Sequence, residues 1–165
     1  GIKYEDTTAQ FISMTEASGG KVVNAKKDDD LNVIIRKVYP DAKVIASNVP
    51  GIDASLNPDT VAEAQDLNGT DVGVVTGEIG VAENACVWVP QTMKEKSICF
   101  ISENLVILLH KNSIVDNMHE AYKSIHMTDY GFGSFISGPS KTADIEQSLV
   151  MGAQAARSVT IILID

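Results

Sequence analysis

The chain has 165 residues, 44% of them hydrophobic, 5% aromatic, and a net charge of -9. That length allows one domain with a sizeable core, and the composition is that of an α/β protein. Its acidic residues are spread out rather than gathered in a tail, which argues against nucleic acid or an anionic membrane surface as a partner.

No apolar stretch approaches the ~20 residues of a membrane span. The polar run from Lys3 to Gln10 lacks a signal-peptide core, so a cytoplasmic location is expected. Cys86 and Cys99 are the only cysteines. Two thiols cannot build a disulfide framework or a four-thiolate cluster, and both are expected to be buried and reduced.

In chain order, Thr8 to Ser18 reads as a helix ended by Gly19 and Gly20, and Lys21 to Asn24 as a short strand. Asp28, Asp29 and Asp30 precede a helix whose Leu31, Ile34, Ile35 and Val38 form one apolar stripe that stops before Pro40. Lys43 to Ala46 is a strand, and Asn57-Pro58-Asp59 opens a weaker helix through Leu67, closed by Asn68-Gly69. The chain then turns to β: Val72, Val74 and Val75 form one run, Thr76-Gly77-Glu78 a break, and Ala85 to Val89 another run. Ser97 to Ile101 and Leu105 to His110 follow as strands. Ser113 is expected to cap a helix with Ile114, Val115, Met118, Ala121, Tyr122 and Ile125 on its apolar side. Phe132 to Ser137 and Thr160 to Ile164 supply the last strands, with a helix from Thr142 between them. This pattern predicts an α/β fold with a mixed, largely parallel sheet and helices on both faces, in a single domain over residues 1–165.

Two stretches carry candidate chemistry. Between Phe132 to Ser137 and the following helical pattern lies Gly138-Pro139-Ser140-Lys141-Thr142-Ala143-Asp144-Ile145-Glu146. Ser140 and Thr142 can cap there, Asp144 suits the first turn, and free amides at a helix start attract anions or carboxylates. The same residues also suit a plain helix cap. The second stretch runs from Thr76 and Gly77 to Glu83 and Asn84, mostly small or apolar. A carboxyl group buried at a strand end has its pKa raised or needs a partner, as befits a general base or nucleophile. Ordinary hairpin-turn residues are the other reading.

His110 and Lys111, at the end of an apolar strand, are second-rank site candidates. His119 and His126 are seven residues apart, about 10 Å along a helix, too far to share a metal ion. No dinucleotide fingerprint, phosphate loop, nucleophile elbow or paired Cys-x-x-Cys is present.

The run Ile136-Ser137-Gly138-Pro139-Ser140-Lys141-Thr142-Ala143-Asp144-Ile145-Glu146-Gln147 resembles the signature of the lactate-utilisation (LUD) domain family. Val72 to Val89, Leu105 to Lys111 and Gly152 to Asp165 resemble further family segments in the same order. The chain departs from the pattern where many members follow Ala-Glu with Thr-Gly-Thr, since Ala82-Glu83 is followed here by Asn84-Ala85-Cys86.

The resemblance implies a fold similar to ribose-phosphate isomerases, glucosamine-phosphate deaminases and coenzyme A transferases, with further helices upstream. It also implies a role as an accessory subunit of a system oxidising L-lactate to pyruvate. Iron-sulfur clusters are then expected in partner proteins, with no cofactor and no metal in this chain. Ligand contacts with a small carboxylate or anion are expected from Thr76, Gly77, Glu83, Asn84, His110, Lys111, Ser137, Gly138, Pro139, Ser140, Thr142, Asp144 and Glu146. The alternative is a stand-alone enzyme of the coenzyme A transferase or sugar-phosphate isomerase type that uses Glu83 as nucleophile or base.

Overall fold

The computed structural model describes residues 2–90, 98–99, 101–125, 133–139 and 156–165. The chain begins with α1 (Thr7–Ala17), β1 (Lys21–Ala25), α2 (Leu31–Val38), β2 (Ile45–Ala46) and β3 (Val72–Thr76). It continues with β4 (Ile79–Val81), β5 (Val87–Pro90), β6 (Asn104–His110), β7 (Ile114–Val115), α3 (Met118–Ser124), β8 (Gly133–Ile136) and β9 (Ser158–Ile164). Asp6 caps α1 by accepting from the Ala9 amide, and Asp30 caps α2 through Asn32.

The largely parallel sheet expected from the sequence is present, with a division that the sequence did not reveal. Five strands, in the order β1-β9-β6-β3-β2, pair in parallel throughout. Among the described residues, the antiparallel pairings are confined to a second sheet ordered β7-β4-β5-β8, in which β4 runs parallel only to β7.

The central strands β6 and β9 are buried on both faces, so alternate residues feed two different cores. Leu105, Ile107, Leu109, Ile161 and Leu163 pack with Phe11 of α1 and with Val87, Val89 and Ile136 of the small sheet. Val106, Leu108 and Ile162 point the other way and pack with Ile35 of α2. A third cluster, including Val81, Trp88 and Ala121, joins the outer face of the small sheet to α3. The layers are therefore α2, the parallel sheet, α1 beside the small sheet, and α3.

Four sequence-based expectations are corrected. Asn57-Pro58-Asp59 starts no long helix, because the Asn57 side chain accepts from the Asp59 amide and its carbonyl from Thr60, closing a turn; only Ala64–Leu67 forms a single helical turn. Ile98, Cys99 and Ile101 are helical rather than extended. Ser113 is not a helix cap: Ile114 and Val115 pair with β4, and Asn117 caps α3 by accepting from the Glu120 amide. Cys86 is half-buried, whereas Cys99 is buried. The expected helix from Thr142 lies outside the described residues.

Candidate functional site

β4 and β5 form a hairpin closed by Ala82-Glu83-Asn84-Ala85. The Val81 amide donates to the Cys86 carbonyl and the Ala85 amide to the Val81 carbonyl, both at 2.8 Å. The Asn84 side chain accepts from the Cys86 amide at 3.0 Å. Ala85 sits at φ +62°, the left-handed region where glycine is easiest, which gives the missing family glycine a physical meaning.

Glu83 is half-buried and held at two points. Its amide donates to the Asp116 carbonyl at 3.0 Å, and its Oε1 accepts from the Met118 amide at 2.7 Å, in the first turn of α3. A carboxylate there satisfies an orphan amide and suits the helix dipole. Asp116 also anchors the N-terminal segment: its Oδ1 accepts from the Tyr4 amide at 3.1 Å and from the Thr7 hydroxyl at 3.0 Å. Asn117 Nδ2 donates to the Ile2 carbonyl at 2.8 Å.

The start of the second candidate loop adjoins this turn. β8 pairs antiparallel with β5, so its end arrives beside Cys86, and the Ser137 hydroxyl donates to the Asn84 carbonyl at 3.1 Å. Burial pushes the Cys86 thiol pKa up; a hydrogen bond with Ser137 opposes this, and the Glu83 charge adds to it. A thiol so placed stays protonated near neutral pH and is a poor nucleophile. Gly138 has φ +67°, and a Cβ there would stand 3.0 Å from the Ser18 carbonyl at the end of α1. Pro139 follows, half-buried.

Glu83, Asn84, Ser137, Gly138 and Pro139 thus share one end of the small sheet. Thr76 and Gly77 do not join them. They lie at the far end of β4 from the turn, where the chain bends at Glu78, beside a cleft of about 350 Å³ whose walls include Asn48, Pro50 and Val89. A Cβ at Gly77 would fall 2.4 Å from Val87 Cγ1, so close packing requires glycine there.

His110 is exposed at the end of β6, and Lys111 Nζ is 2.9 Å from Asp165 Oδ1. Ser140, Thr142, Asp144 and Glu146 lie outside the described residues. His119 is exposed, and His126 is outside the described set. Among the described residues, no group of three or more His, Cys, Asp or Glu side chains is placed to hold a metal ion, and no helix is long and apolar enough to cross a membrane.

Sequence reasoning missed Asp116 and Met118. Asp116-Asn117 ahead of Met118 and Ala121 is a capping signature that competes with the earlier start offered by Ser113.

A second cleft, of about 340 Å³, lies at the amino ends of the parallel strands beside Tyr39, Asp71 and Asn104. The amides of Val44 and Lys43 hold the Asp71 carboxyl below its ordinary pKa; limited burial opposes them, and the Lys43 charge assists. Tyr39, Ser158, Thr160 and Asn104 form a hydrogen-bonded chain behind it.

The architecture defines an α/β protein whose parallel sheet carries a smaller mixed sheet on one face. It is similar to the crystal structure of a DUF162 family protein from Deinococcus radiodurans, with a TM-score of 0.75, 11% identity and full coverage of both chains. The family model described as LUD domain matches residues 53–164. The chain belongs to the LUD domain family.

Its relatives include lactate utilization protein C of Oceanobacillus iheyensis, 30% identical over 68% of this chain and 50% of that protein. Lactate utilization protein C of Geobacillus sp. (strain WCH70) is 28% identical over 99% of this chain and 69% of that protein. The Bacillus subtilis protein of that name is 27% identical over 97% of this chain and 70% of its own length. The chain spans about half the length of the first curated relatives it matches.

Proposed function

We propose that this chain serves in lactate utilisation as a cytoplasmic, non-catalytic accessory subunit of an iron-sulfur system that oxidises L-lactate to pyruvate. In this reading it binds a small carboxylate or a partner subunit through the Glu83 turn and the loop that begins at Ser137. The observation that carries it is the similarity to lactate utilization protein C, which runs through 97–99% of the chain in two relatives.

The Ser137 to Asn84 hydrogen bond supports treating the two loops as one site. Two cysteines at separate places, one buried, cannot ligate a cluster alone, so electron transfer falls to partner proteins in this reading. Use of Glu83 as a covalent nucleophile receives less support, because one of its oxygens already caps α3.

The test is calorimetric titration of the full chain with L-lactate and pyruvate, alongside affinity purification from its source. Binding of either acid, or co-purification of a protein with an iron-sulfur spectrum, is expected. Silence toward both acids together with no such partner would refute the proposal.

A further inference from the structure

We propose that the N-terminal segment, residues 2–18, is a working part of the Glu83 site, and that Asp116 is the positioning residue that couples them. This rests on the reading of the Glu83 turn and the Ser137 loop as one binding site. The segment lies outside residues 53–164, the stretch that matches the family.

Its attachments fall on both halves of the site. At its start, Tyr4 and Thr7 bond to Asp116 Oδ1, and Ile2 accepts from Asn117. Asp116 passes that restraint on through its own carbonyl, which receives the Glu83 amide. Two residues further on, Met118 holds the Glu83 carboxylate. At the other end of α1, Ser18 abuts Gly138, where a Cβ would stand a tight 3.0 Å from the Ser18 carbonyl oxygen. In between, Phe11 is fully buried in the main core and stands 3.1 Å from where a Gly80 Cβ would lie.

α1 is therefore a rigid spacer with the Glu83 anchorage at its amino end and the Gly138 loop at its carboxyl end. A binding site needs its groups held by elements whose own positions are fixed. Here Asp116 does this for Glu83, its side chain held by Tyr4 and Thr7 and its carbonyl holding the Glu83 amide. Loss of its carboxylate removes the single oxygen that accepts both the Tyr4 and the Thr7 hydrogen bonds and loosens the Glu83 turn, while both large-sheet cores keep their contacts.

The test uses the full chain with Asp116→Ala, Asp116→Asn and Thr7→Val, read by residue-resolved amide hydrogen exchange and by titration with L-lactate and pyruvate. Asp116→Ala is expected to speed exchange at the Glu83 and Met118 amides at least tenfold, to leave Val106 and Ile161 unchanged, and to weaken binding of the acids at least fivefold. Asp116→Asn keeps a side-chain oxygen as acceptor and restores both readouts; Thr7→Val shifts them the same way by less.

Unchanged exchange at Glu83 and Met118 in both Asp116→Ala and Thr7→Val would overturn the inference, as would a rise shared equally with β6 and β9. If Asp116→Ala fails to fold, Thr7→Val decides alone. Wild-type silence toward both acids would refute ligand binding, and the exchange pattern would still decide the coupling.

Discussion

Replacing Glu83 by alanine tests what its carboxylate does. At 2.7 Å from the Met118 amide it makes a charge-assisted hydrogen bond at the start of α3. Bonds to charged groups contribute about 1.5–3 kcal/mol, and capping losses run about 0.5–2 kcal/mol. Glu83 is half-buried, so water recovers part of the loss in the variant. The expected cost is about 1–2 kcal/mol, or roughly 2–8 °C in Tm for a chain of this size.

Glu83→Gln keeps an oxygen acceptor and loses only the charge at the helix start, costing less than about 1 kcal/mol. Urea unfolding followed by circular dichroism gives both numbers. An alanine variant within about 0.5 kcal/mol of the parent, the range of an ordinary surface substitution, would refute the capping role. So would a glutamine variant as damaged as the alanine one.

Gly133→Ala places a methyl group 2.3–2.8 Å from the Trp88 ring; it should cost about 1–3 kcal/mol and shift the emission of the single tryptophan, measured by fluorescence during denaturation. Because the folded Asp71 carboxyl has a lowered pKa, it contributes stability above the unfolded carboxylate range that is lost as pH falls through the folded value. Asp71→Asn should flatten the acid side of the stability curve, measured by thermal melts from pH 7 down to pH 3. Cys86, with its raised pKa, should react with a disulfide reagent at pH 8 more slowly than free cysteine until the chain is unfolded; Ser137→Ala removes the opposing hydrogen bond and should slow it further.

The parts of the fold legible in the sequence are those with local causes. The stripe from Leu31 to Val38 and its Asp30 cap give α2, and the uninterrupted apolar run from Leu105 to Leu109 marks β6 as a strand buried on both faces. β4 leaves little signal in the sequence because it is three residues long and contains Gly80. Ile114 and Val115 fit a helical stripe as well as a strand, and only pairing with Gly80 and Val81 decides between them. The separation into two sheets is likewise a matter of partners distant in the chain.

At the candidate site the sequence identified Glu83 as a carboxyl group needing a partner. That partner is a backbone amide 35 residues on, and Asp116 is tied to residues 109 and 112 positions away. No local spacing encodes such ties. Thr76 and Gly77 are near Glu83 in sequence, yet β4 separates them from the turn and they line the cleft with Asn48 and Pro50 instead.

α1 has 11 residues, hence about three helical turns at a pitch of 5.4 Å. Its two ends meet different partners, Thr7 the Asp116 carboxylate and Ser18 the Gly138 backbone, so the helix sets a fixed span of about 16 Å between those contacts at about 1.5 Å per residue. Deleting one turn would shorten that strut by about 5.4 Å, leaving it able to reach either partner but not both.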